Sequence, residues 1–364
     1  MFNTFGSIFR LTSFGESHGA GIGGVIDGCP AGLVLDEEFI QAELDKRKPG
    51  SAHAGLAGTT RKEADRVKFL SGVYEGKTTG TPLAFFVENS NQKSGDYAKL
   101  AYTYRPGHAD RAYDEKYGFR DPRGGGRSSA RETIARVVGG AVAQLCLREH
   151  GINVVAYTEA IDGIYANNFG AFSLDACEKR LFFAPNEEVI PHWQERIEEV
   201  RNNLDTLGGI VSIEAHGVPA GLGEPVFQKL DACLSYALMS VGAVKAVEIG
   251  AGTKAATSRG SQNNDAMYYE NGKLCYTSNN AGGIEGGISN GQPILLKAYV
   301  KPIPSVAKEQ KTVSREGENV TLSIGGRHDI CAIPRIVPVL KAMVSITLMD
   351  MFLLQKRMNK GNDF

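Results

Sequence analysis

Two histidines and one aspartate lie in short glycine-containing segments, where a side chain can approach a ligand closely. His18 lies in FGESHG, His108 in RPGHAD and Asp329 in GGRHD. Histidine titrates near neutral pH and can give or take a proton, and a nearby carboxylate can orient the ring or act as a base. Each segment alone has a structural alternative. FGESHG could be a turn that His18 only hydrogen-bonds, RPGHAD a surface turn with an ordinary ion pair, and GGRHD a salt-bridged helix start that Asp329 caps. The residue types therefore indicate acid–base chemistry only if the segments act together.

A glycine-rich stretch, GGGRSS, leads directly into a predicted helix. Bare glycine amides, a helix N-terminus and the guanidinium of Arg127 together predict an anion site, to which Ser128 and Ser129 add hydroxyl groups. The spacing of Ser129 and Glu132 predicts a capping box at the start of that helix. The stretch is neither a Walker A loop nor a dinucleotide fingerprint. A flexible loop before a helix is the alternative interpretation.

The charge distribution favours a small anionic ligand over a polyanion. The formal net charge is -1, whereas nucleic-acid binding needs a broadly basic surface. Arginine supplies a rigid fork for phosphate or carboxylate. Several arginines lie in or near glycine-rich stretches: Arg47, Arg105, Arg120, Arg123, Arg127, Arg131 and Arg327.

Six scattered cysteines form no C-x-x-C pair, so neither a zinc site nor a disulfide framework is expected. Together with the lack of a signal-peptide core, this predicts a reducing, cytoplasmic location. The most apolar segment, 339–354, contains Lys341 and Asp350 and is predicted to be a buried helix, not a membrane span.

The remaining periodicity predicts the elements that must position these segments. Predicted helices run from Asp36 to about Arg47, from Ser129 to about Glu149, and from about Pro225 to Ser240, with Phe227 on the buried face of the third. Predicted strands are Val211 to His216, Val244 to Ile249 and Ile294 to Val300. Polar loops are predicted over Ser51 to Asp65 and Ala307 to Asn319.

One internal echo is visible. GCPAGL at 28–33 recurs as GVPAGL at 217–222, each after a strand-like run and before an amphipathic helix. The echo suggests a duplication with repeat units around 20–50 and 208–240. A coincidental turn motif is the alternative.

Taken together, these segments resemble the chorismate synthase family. Each block alone is weakly specific, but the ordered set, from Phe14 to about Met351, is highly specific. The matching blocks are FGESHG, LDKRKPG, RPGHAD, YGFRDPRGGGRSSARET, GVPAGLGEPVF, NNAGGIEGGISNGQ and GGRHD.

The resemblance implies an α+β fold over 1–364, a single large layered sandwich with helices between β-sheets and a pseudo-twofold duplication, assembled as a homotetramer. It implies a carbon–oxygen lyase reaction, the 1,4-anti elimination of phosphate from 5-enolpyruvylshikimate 3-phosphate to give chorismate, at the end of the shikimate pathway. The implied cofactor is reduced FMN, a flavin like FAD, and it is required although no net oxidation occurs. No membrane or nucleic-acid partner is implied.

The resemblance also implies roles for single residues. His18 matches the histidine that protonates the leaving phosphate, His108 the one that protonates the flavin, and Asp329 the aspartate that relays a proton with flavin N5. Implied substrate contacts are Ser17, Arg47, Arg105, Arg131 and Arg327. Implied cofactor contacts are Arg47 for a nicotinamide phosphate and, for the flavin, Arg127, Ser128, Ser129, Gly242, Ala243, Gly286, Lys301, Pro302, Ile303, Pro304, Ser305 and Arg327.

Some positions depart from the family pattern. Ser51-Ala52-His53 stands where many relatives have an arginine, which weakens the expectation of a second nicotinamide-phosphate contact. Gly242 replaces a more usual asparagine, and Ile330 a frequent proline. No added reductase domain is visible, so borrowed reduced FMN is expected, with NADPH as a candidate reductant. A flavin-dependent oxidoreductase and a non-catalytic binding protein for phosphorylated metabolites are the alternatives.

Overall fold

Two antiparallel sheets of five strands each hold most of the strand residues of this chain. The structure, a computed structural model, describes residues 2–59, 64–89, 102–123, 125–325 and 328–358. The strands are β1 Thr4–Phe5, β2 Arg10–Gly15, β3 Gly21–Asp27, β4 Val67–Phe69, β5 Val73–Tyr74, β6 Lys77–Thr78, β7 Leu83–Glu88, β8 Asn153–Ile161, β9 Ile164–Tyr165, β10 Gly209–His216, β11 Val244–Ile249, β12 Met267–Glu270, β13 Lys273–Tyr276, β14 Ile284–Glu285, β15 Ile288–Ser289, β16 Ile294–Val300, β17 Gln310–Val313 and β18 Asn319–Leu322. The α-helices are α1 Glu37–Arg47, α2 Asp110–Tyr117, α3 Thr133–Arg148, α4 Leu174–Cys177, α5 Ile190–Asn202, α6 Leu230–Met239, α7 Gly260–Asn263 and α8 Ile333–Met358.

The two sheets share a group of central helices. The first sheet has the order β1-β2-β3-β7-β4 and the second β11-β16-β10-β8-β9. Helix α3 contacts β2 and β3 of the first sheet and β8 of the second, and α8 contacts β8 and β10. Helices α1, α3 and α6 all pack on α8. One continuous apolar core results, from Phe9 to Phe352, and the mixed α and β content agrees with the predicted class.

Helix α8 confirms the buried helix predicted from the apolar segment, but it begins earlier. It starts at Ile333 and contains Pro338 in its second turn. Its 26 residues have a mean hydropathy of 1.8 in the most apolar window, long and apolar enough to cross a membrane. Since 94% of that window is buried inside the protein, α8 is a core helix.

Glycines in β3 make room for aromatic rings. A Cβ on Gly23 would lie 2.4 Å from the ring of Phe14, and one on Gly24 would lie 2.5 Å from the ring of Phe85. Glycine at these two positions is therefore explained by the close packing of neighbouring aromatic side chains.

Three predictions of local structure are wrong. The third helix begins at Leu230, not Pro225, and Phe227 is 91% exposed because it lies in the loop before the helix. Ser129 accepts a hydrogen bond from the amide of Arg131, and Glu132 binds Arg136, so no capping box forms and a 3-10 turn precedes α3. The segment predicted as a loop at Ala307 to Asn319 contains β17.

The other predicted elements are confirmed to within a few residues. Helices α1 and α3, and strands β10, β11 and β16, match the helices and strands predicted at those places. The side chain of Asp36 caps α1 by accepting from the amide of Phe39 at 2.9 Å, which is the typical role of aspartate at a helix N-terminus. Residues 51–59 and 64–65 of the remaining predicted loop are described, with one 3-10 turn at Gly55–Ala57.

The first of the two echoed turns, 28–33, is held by the short β5–β6 hairpin. The amide of Gly32 donates to the carbonyl of Thr78 at 2.8 Å, and the amide of Leu33 donates to the Thr78 hydroxyl at 3.1 Å. That hydroxyl donates in turn to the carbonyl of Pro30 at 2.6 Å.

The second echoed turn, 217–222, is held in the same way by the β14–β15 hairpin. The amide of Gly221 donates to the carbonyl of Ser289 at 2.8 Å, and that of Leu222 to the Ser289 hydroxyl at 2.9 Å. The hydroxyl donates to the carbonyl of Pro219 at 2.6 Å. The two turns have matching sequences, and each is bound in the same pattern by a hydroxyl side chain from a short β-hairpin.

A network of charged side chains ties α1 to α8. Lys341 of α8 is almost fully buried and pairs with Glu178 and, at 3.4 Å, with Glu43 of α1. Lys46 of α1 completes the network by pairing with both glutamates. Burial opposes ionisation of Glu178, but the charges of Lys341 and Lys46 outweigh it and lower its pKa to about 2. The network holds the helix that carries Arg47.

We expect the α3–α8 contact to be intolerant of a single methyl group at Gly140. A Cβ there would lie 2.3 Å from the Cβ and 2.4 Å from the Cα of Ala342 in α8. Gly140→Ala should lower the free energy of unfolding by about 1–3 kcal/mol through overpacking, despite the better helix propensity of alanine. Gly139→Ala is the matched control, because it meets only side-chain methyls of Leu11 and Ile346, at 3.1 and 3.5 Å. Urea unfolding measures both, and an equal loss for the two variants would contradict the prediction.

Candidate active site

The segment that carries His18 is a tight turn after β2. The amide of Gly19 donates to the carbonyl of Glu16 at 3.2 Å and closes the turn. The side-chain amide of Asn89 donates to the carbonyls of Glu16 and Gly19, both at 2.8 Å. The strand before the turn is bound by Arg127, which donates to the carbonyl of Gly15 at 3.1 Å. The predicted anion loop therefore lies beside the His18 turn.

Two arginines share one carboxylate inside the protein. Arg47 donates to Asp65 at 3.3 Å and to the hydroxyl of Thr133 at 3.0 Å. Arg131 donates to the other oxygen of Asp65 at 2.8 Å and to the side-chain oxygen of Asn89. The Asp65 side chain is fully buried, and Arg47 is only 2% exposed. The pair of guanidinium groups is thereby fixed next to the His18 turn.

Asp329 joins the same group of residues. Its carboxylate accepts from the amide of Thr59 at 2.8 Å and forms an ion pair with Arg335. Arg335 also donates to the backbone carbonyl of Arg47 at 3.2 Å. The Asp329 carboxylate is thus fixed in place, and the side chain of Arg335 links it to the backbone of Arg47.

Arg105 is locked by a bidentate ion pair. Its guanidinium donates two hydrogen bonds of 2.7 Å to the two oxygens of Asp110, and its amide donates to the same carboxylate at 3.1 Å. Burial opposes ionisation of Asp110, but these bonds and the charge of Arg105 lower its pKa on balance. Asp110, the carboxylate of the RPGHAD segment that could have oriented His108, binds Arg105 instead. The anion loop also lies close to Arg105, because a Cβ on Gly125 would be 3.9 Å from the guanidinium of Arg105.

His108 bridges its own loop and the KPIPS segment, 301–305. Its Nδ1 lies 3.1 Å from the carbonyl of Pro106 and its Nε2 lies 3.0 Å from the hydroxyl of Ser305. Because a carbonyl only accepts, the neutral ring carries its proton on Nδ1, and Nε2 accepts from Ser305. Burial first, and then the charge of Arg105, lowers the pKa of His108 to about 4. The ring is therefore neutral at pH 7, with an unprotonated nitrogen at Nε2.

The KPIPS segment also connects to the Gly242-Ala243 pair. The amide of Lys301 donates to the carbonyl of Ala243 at 2.9 Å, and its ammonium donates to the carbonyl of Gly107 at 3.0 Å. Ala243 has a φ of +74°, a left-handed conformation that is costly for alanine and is often found at functional sites. A Cβ on Gly242 would meet nothing within 4 Å, so the backbone is open there.

Ionisable groups crowd the space around His18 and the anion loop. Burial raises the pKa of Tyr113, which also hydrogen-bonds Ser128 and lies in the field of Arg127. The hydrogen bond from Arg123 lowers the pKa of Asp121, and the charge of His18 acts in the same direction. Helix α2, the anion loop and the His18 turn therefore form one electrostatic unit.

Most predicted site residues belong to this assembly, but Gly286 does not. Gly286 lies in the β14–β15 hairpin, where the carbonyl of the next residue accepts from the amide of Leu230 at the start of α6. Gly242 follows the other end of that ten-residue helix, about 15 Å away at 1.5 Å per residue. Ser17 lies within the His18 turn. Arg327 lies outside the described residues.

Sequence reasoning missed Asp65, Asn89 and Arg335, which hold the predicted residues together. Asp65 binds arginines 18 and 66 residues away, and Asn89 binds a turn 70 residues away. Asp65, at a φ of +41°, is the last residue of a predicted loop, and Asn89 directly follows β7. Neither position carries a local pattern that predicts a partner so distant in the chain.

His53, at the departure from the family pattern, turns into the protein. Its ring stacks on Phe183 with centroids 4.1 Å apart, and its Nδ1 lies 3.0 Å from the carbonyl of Arg180. This side chain supports the 181–183 turn. Among the described residues there is no group of three or more His, Cys, Asp or Glu side chains that could hold a metal ion.

We expect the low pKa of His108 to make stability pH-dependent. The pKa of the ring is about 4 in the folded protein, whereas the ordinary pKa of histidine is 6.5. The unfolded chain therefore binds the proton first, and stability is lost as the pH falls from 6.5 towards 4. As the pH falls over that range, the Tm of the wild type should fall relative to the Tm of His108→Gln, in which position 108 cannot titrate. NMR titration of the ring, assigned with the same variant, checks the pKa directly. A pKa near 6.5 would contradict the prediction.

Comparisons with known proteins identify the family of this chain. The chorismate synthase family model matches residues 9–353. The chain is 61% identical to the chorismate synthase of Maridesulfovibrio salexigens, over 98% of this chain and 99% of that protein, and 52% identical to that of Parabacteroides distasonis, over 97% and 98%. A solved structure titled "Crystal Structure of Chorismate Synthase" superposes with a TM-score of 0.77 at 32% identity, over 99% of this chain and 94% of that one. The chain therefore belongs to the chorismate synthase family.

Proposed function

We propose that this protein eliminates phosphate from 5-enolpyruvylshikimate 3-phosphate to form chorismate, with reduced FMN as its cofactor. The observation that carries the proposal is the assembly of the His18, His108 and Asp329 segments around buried arginines in a chain matched to this family over residues 9–353. The His18 turn is connected to Asp329 through Asn89, Arg131, Asp65, Arg47 and Arg335. His108 lies in the same loop as the buried Arg105.

The arginines suit a substrate that carries one phosphate and two carboxylates. Arg47, Arg105 and Arg131 are held by carboxylates on one side, as described above. A guanidinium has five donors in a fixed plane, so an arginine anchored in this way can still present donors to an anion. Anchoring also removes the entropy cost of ordering a long side chain when the ligand binds. We assign substrate binding to these three residues, together with Ser17 and Arg327.

The described residues fit a flavin. A Cβ on Gly126, Gly242 or Gly325 would meet nothing within 4 Å, so three predicted contact regions offer open backbone. The flavin would be held by the anion loop, from Arg127 to Ser129, and by Gly242, Ala243 and the KPIPS segment. When bound, reduced flavin supplies electron density that assists cleavage of the C–O bond and a nitrogen that exchanges the C6 proton.

The titratable groups have distinct proposed roles. The Nε2 atom of His108 is unprotonated at pH 7. An anionic ligand beside the ring raises the pKa of His108 and allows Nε2 to hold a proton. His18, on its clasped turn, donates a proton to the leaving phosphate. Asp329, held by Arg335 and the amide of Thr59, accepts and relays the proton that leaves C6 of the substrate.

The fold and the cellular setting are proposed on the same basis. We propose one domain with helices layered between two sheets and a pseudo-twofold duplication, supported by the matching bonds of Thr78 and Ser289. The test is superposition of 209–222 with 283–294 on 21–33 with 72–83 in a crystal structure.

All six cysteines lie in described parts of the chain and carry free thiols, which supports a cytoplasmic location. We propose that reduced FMN is borrowed, with NADPH as its ultimate reductant.

We expect phosphate and chorismate to form in equal amounts, in many-fold excess over flavin. The measurement is anaerobic incubation with the substrate and dithionite-reduced FMN. An elimination regenerates reduced flavin in every turnover. Consumption of one reductant per product would instead indicate a flavin-dependent oxidoreductase, and bound flavin without any product would indicate a binding protein.

His108→Ala should lower turnover by about 10²–10⁴-fold, and His18→Ala similarly, because each removes a group that transfers a proton. Initial rates of phosphate release at saturating flavin measure both. His192→Ala is the control, since that ring stacks on Phe169 with centroids 4.1 Å apart, outside the site. An unchanged rate in either test variant would contradict its assigned role.

We also propose that the protein is a homotetramer. The β12–β13 ribbon exposes a row of apolar side chains, including Met267, Tyr269 and Leu274, and an isolated two-stranded ribbon is marginally stable by itself. Sedimentation should give four times the chain mass of 39.1 kDa. Tyr269→Lys with Leu274→Lys should give smaller species. A wild-type monomer would contradict the proposal.

A further inference from the structure

The side chain of Asn89 joins the His18 turn to the buried arginines. Its amide nitrogen donates to two carbonyls of the turn, those of Glu16 and Gly19, at 2.8 Å each. Its backbone amide donates to the carbonyl of Ala20 at 3.0 Å. Its side-chain oxygen accepts from Nε of Arg131. One carboxamide therefore uses both of its donors and its acceptor to connect two parts of the site.

The far side of Arg131 leads to the other proposed functional groups. Arg131 binds Asp65, Asp65 binds Arg47, and Arg335 links the backbone of Arg47 to Asp329. Asn89 is the only side chain in this described chain of contacts that touches the His18 turn. Asn89 therefore couples the orientation of the turn to the buried arginines.

We infer that Asn89 is a positioning residue that orients His18 for proton transfer, an inference that rests on the function proposed above. Asparagine suits this task because it alone, at this length, combines two donors and an acceptor in one plane. Aspartate has the same shape and could still accept from Arg131, but it has no donor for the two carbonyls. The turn would then lose its clasp while the arginine keeps a partner.

Asn89→Asp should lower kcat by about 10–100-fold, since misplacement of a reacting group by about 1 Å can cost that much. The KM for 5-enolpyruvylshikimate 3-phosphate should change by less than about threefold, because Arg131 retains its acceptor. Asn186→Asp is the matched control: its amide also donates to two backbone carbonyls, those of Ala166 and Gly170 at 2.9 and 3.1 Å, but in a distant loop. The control should lower Tm and leave the kcat of the folded protein unchanged.

A double-mutant cycle with His18→Ala separates positioning from a structural role. If Asn89 acts through His18, Asn89→Asp should cost less than about threefold in kcat when His18 is already absent, because residues that act as a unit are not additive. An equal fold-loss in both backgrounds would overturn the inference, as would an unchanged kcat in Asn89→Asp alone. If Asn89→Asp does not fold, Asn89→Ser takes its place, since one hydroxyl can serve only one carbonyl.

A readout independent of turnover is the NMR signal of the His18 ring, assigned by its loss in His18→Ala. The signal should shift in Asn89→Asp and stay in place in Asn186→Asp. An unmoved signal in Asn89→Asp would overturn the inference whether or not the protein makes chorismate. A wild type that makes no chorismate but shows the shift would remove the proposed function and leave Asn89 as the residue that orients this turn.

Discussion

The carboxylate of Asp65, buried between Arg47 and Arg131, is the interaction on which the site depends. Two guanidinium groups repel each other when they are taken out of water, and a buried charge without its partner costs about 3–5 kcal/mol. The shared carboxylate lets both arginines stay charged inside the protein. It also fixes the end of α1 relative to the 3-10 turn before α3, because each arginine comes from one of these elements.

Rigidity around the site follows from the same constraint. Arg105 is held by Asp110, Arg335 by Asp329, and the His18 turn by Asn89, so each proposed functional side chain is oriented by a neighbour before any ligand arrives. Preorganised donors avoid reorganisation when charge develops, which is the main way in which polar sites accelerate reactions. The low pKa of His108 belongs to this pattern, because burial and Arg105 keep its ring neutral until an anion changes the local field.

The strongest local patterns predicted structure well. Helices α1 and α3 and strand β16 were predicted from an apolar periodicity that burial matches. Helix α8 was predicted from an apolar segment, and nearly all of it is buried. Strands β10 and β11 were also predicted, although β11 buries only Val244. Patterns that are compatible with a second structure led to wrong predictions. Ser129 and Glu132 have the spacing of a capping box, but Glu132 pairs with Arg136 along the helix. Phe227 has helical spacing from α6, yet it lies in the exposed loop before it.

The sequence by itself determined the family, the helices and strands with strong periodicity, and the residue types that could carry charge and protons. Those properties are local, or they rest on the order of motifs along the chain. Only the tertiary structure decided which partners hold the motifs, because Asp65, Asn89 and Arg335 bind groups up to 288 residues away. It also decided that Gly242 and Gly286 lie at opposite ends of α6. Hydrogen bonds and ion pairs of this kind depend on distances in space, and those distances are set by the packing of α3 against α8 and of both helices against the sheets.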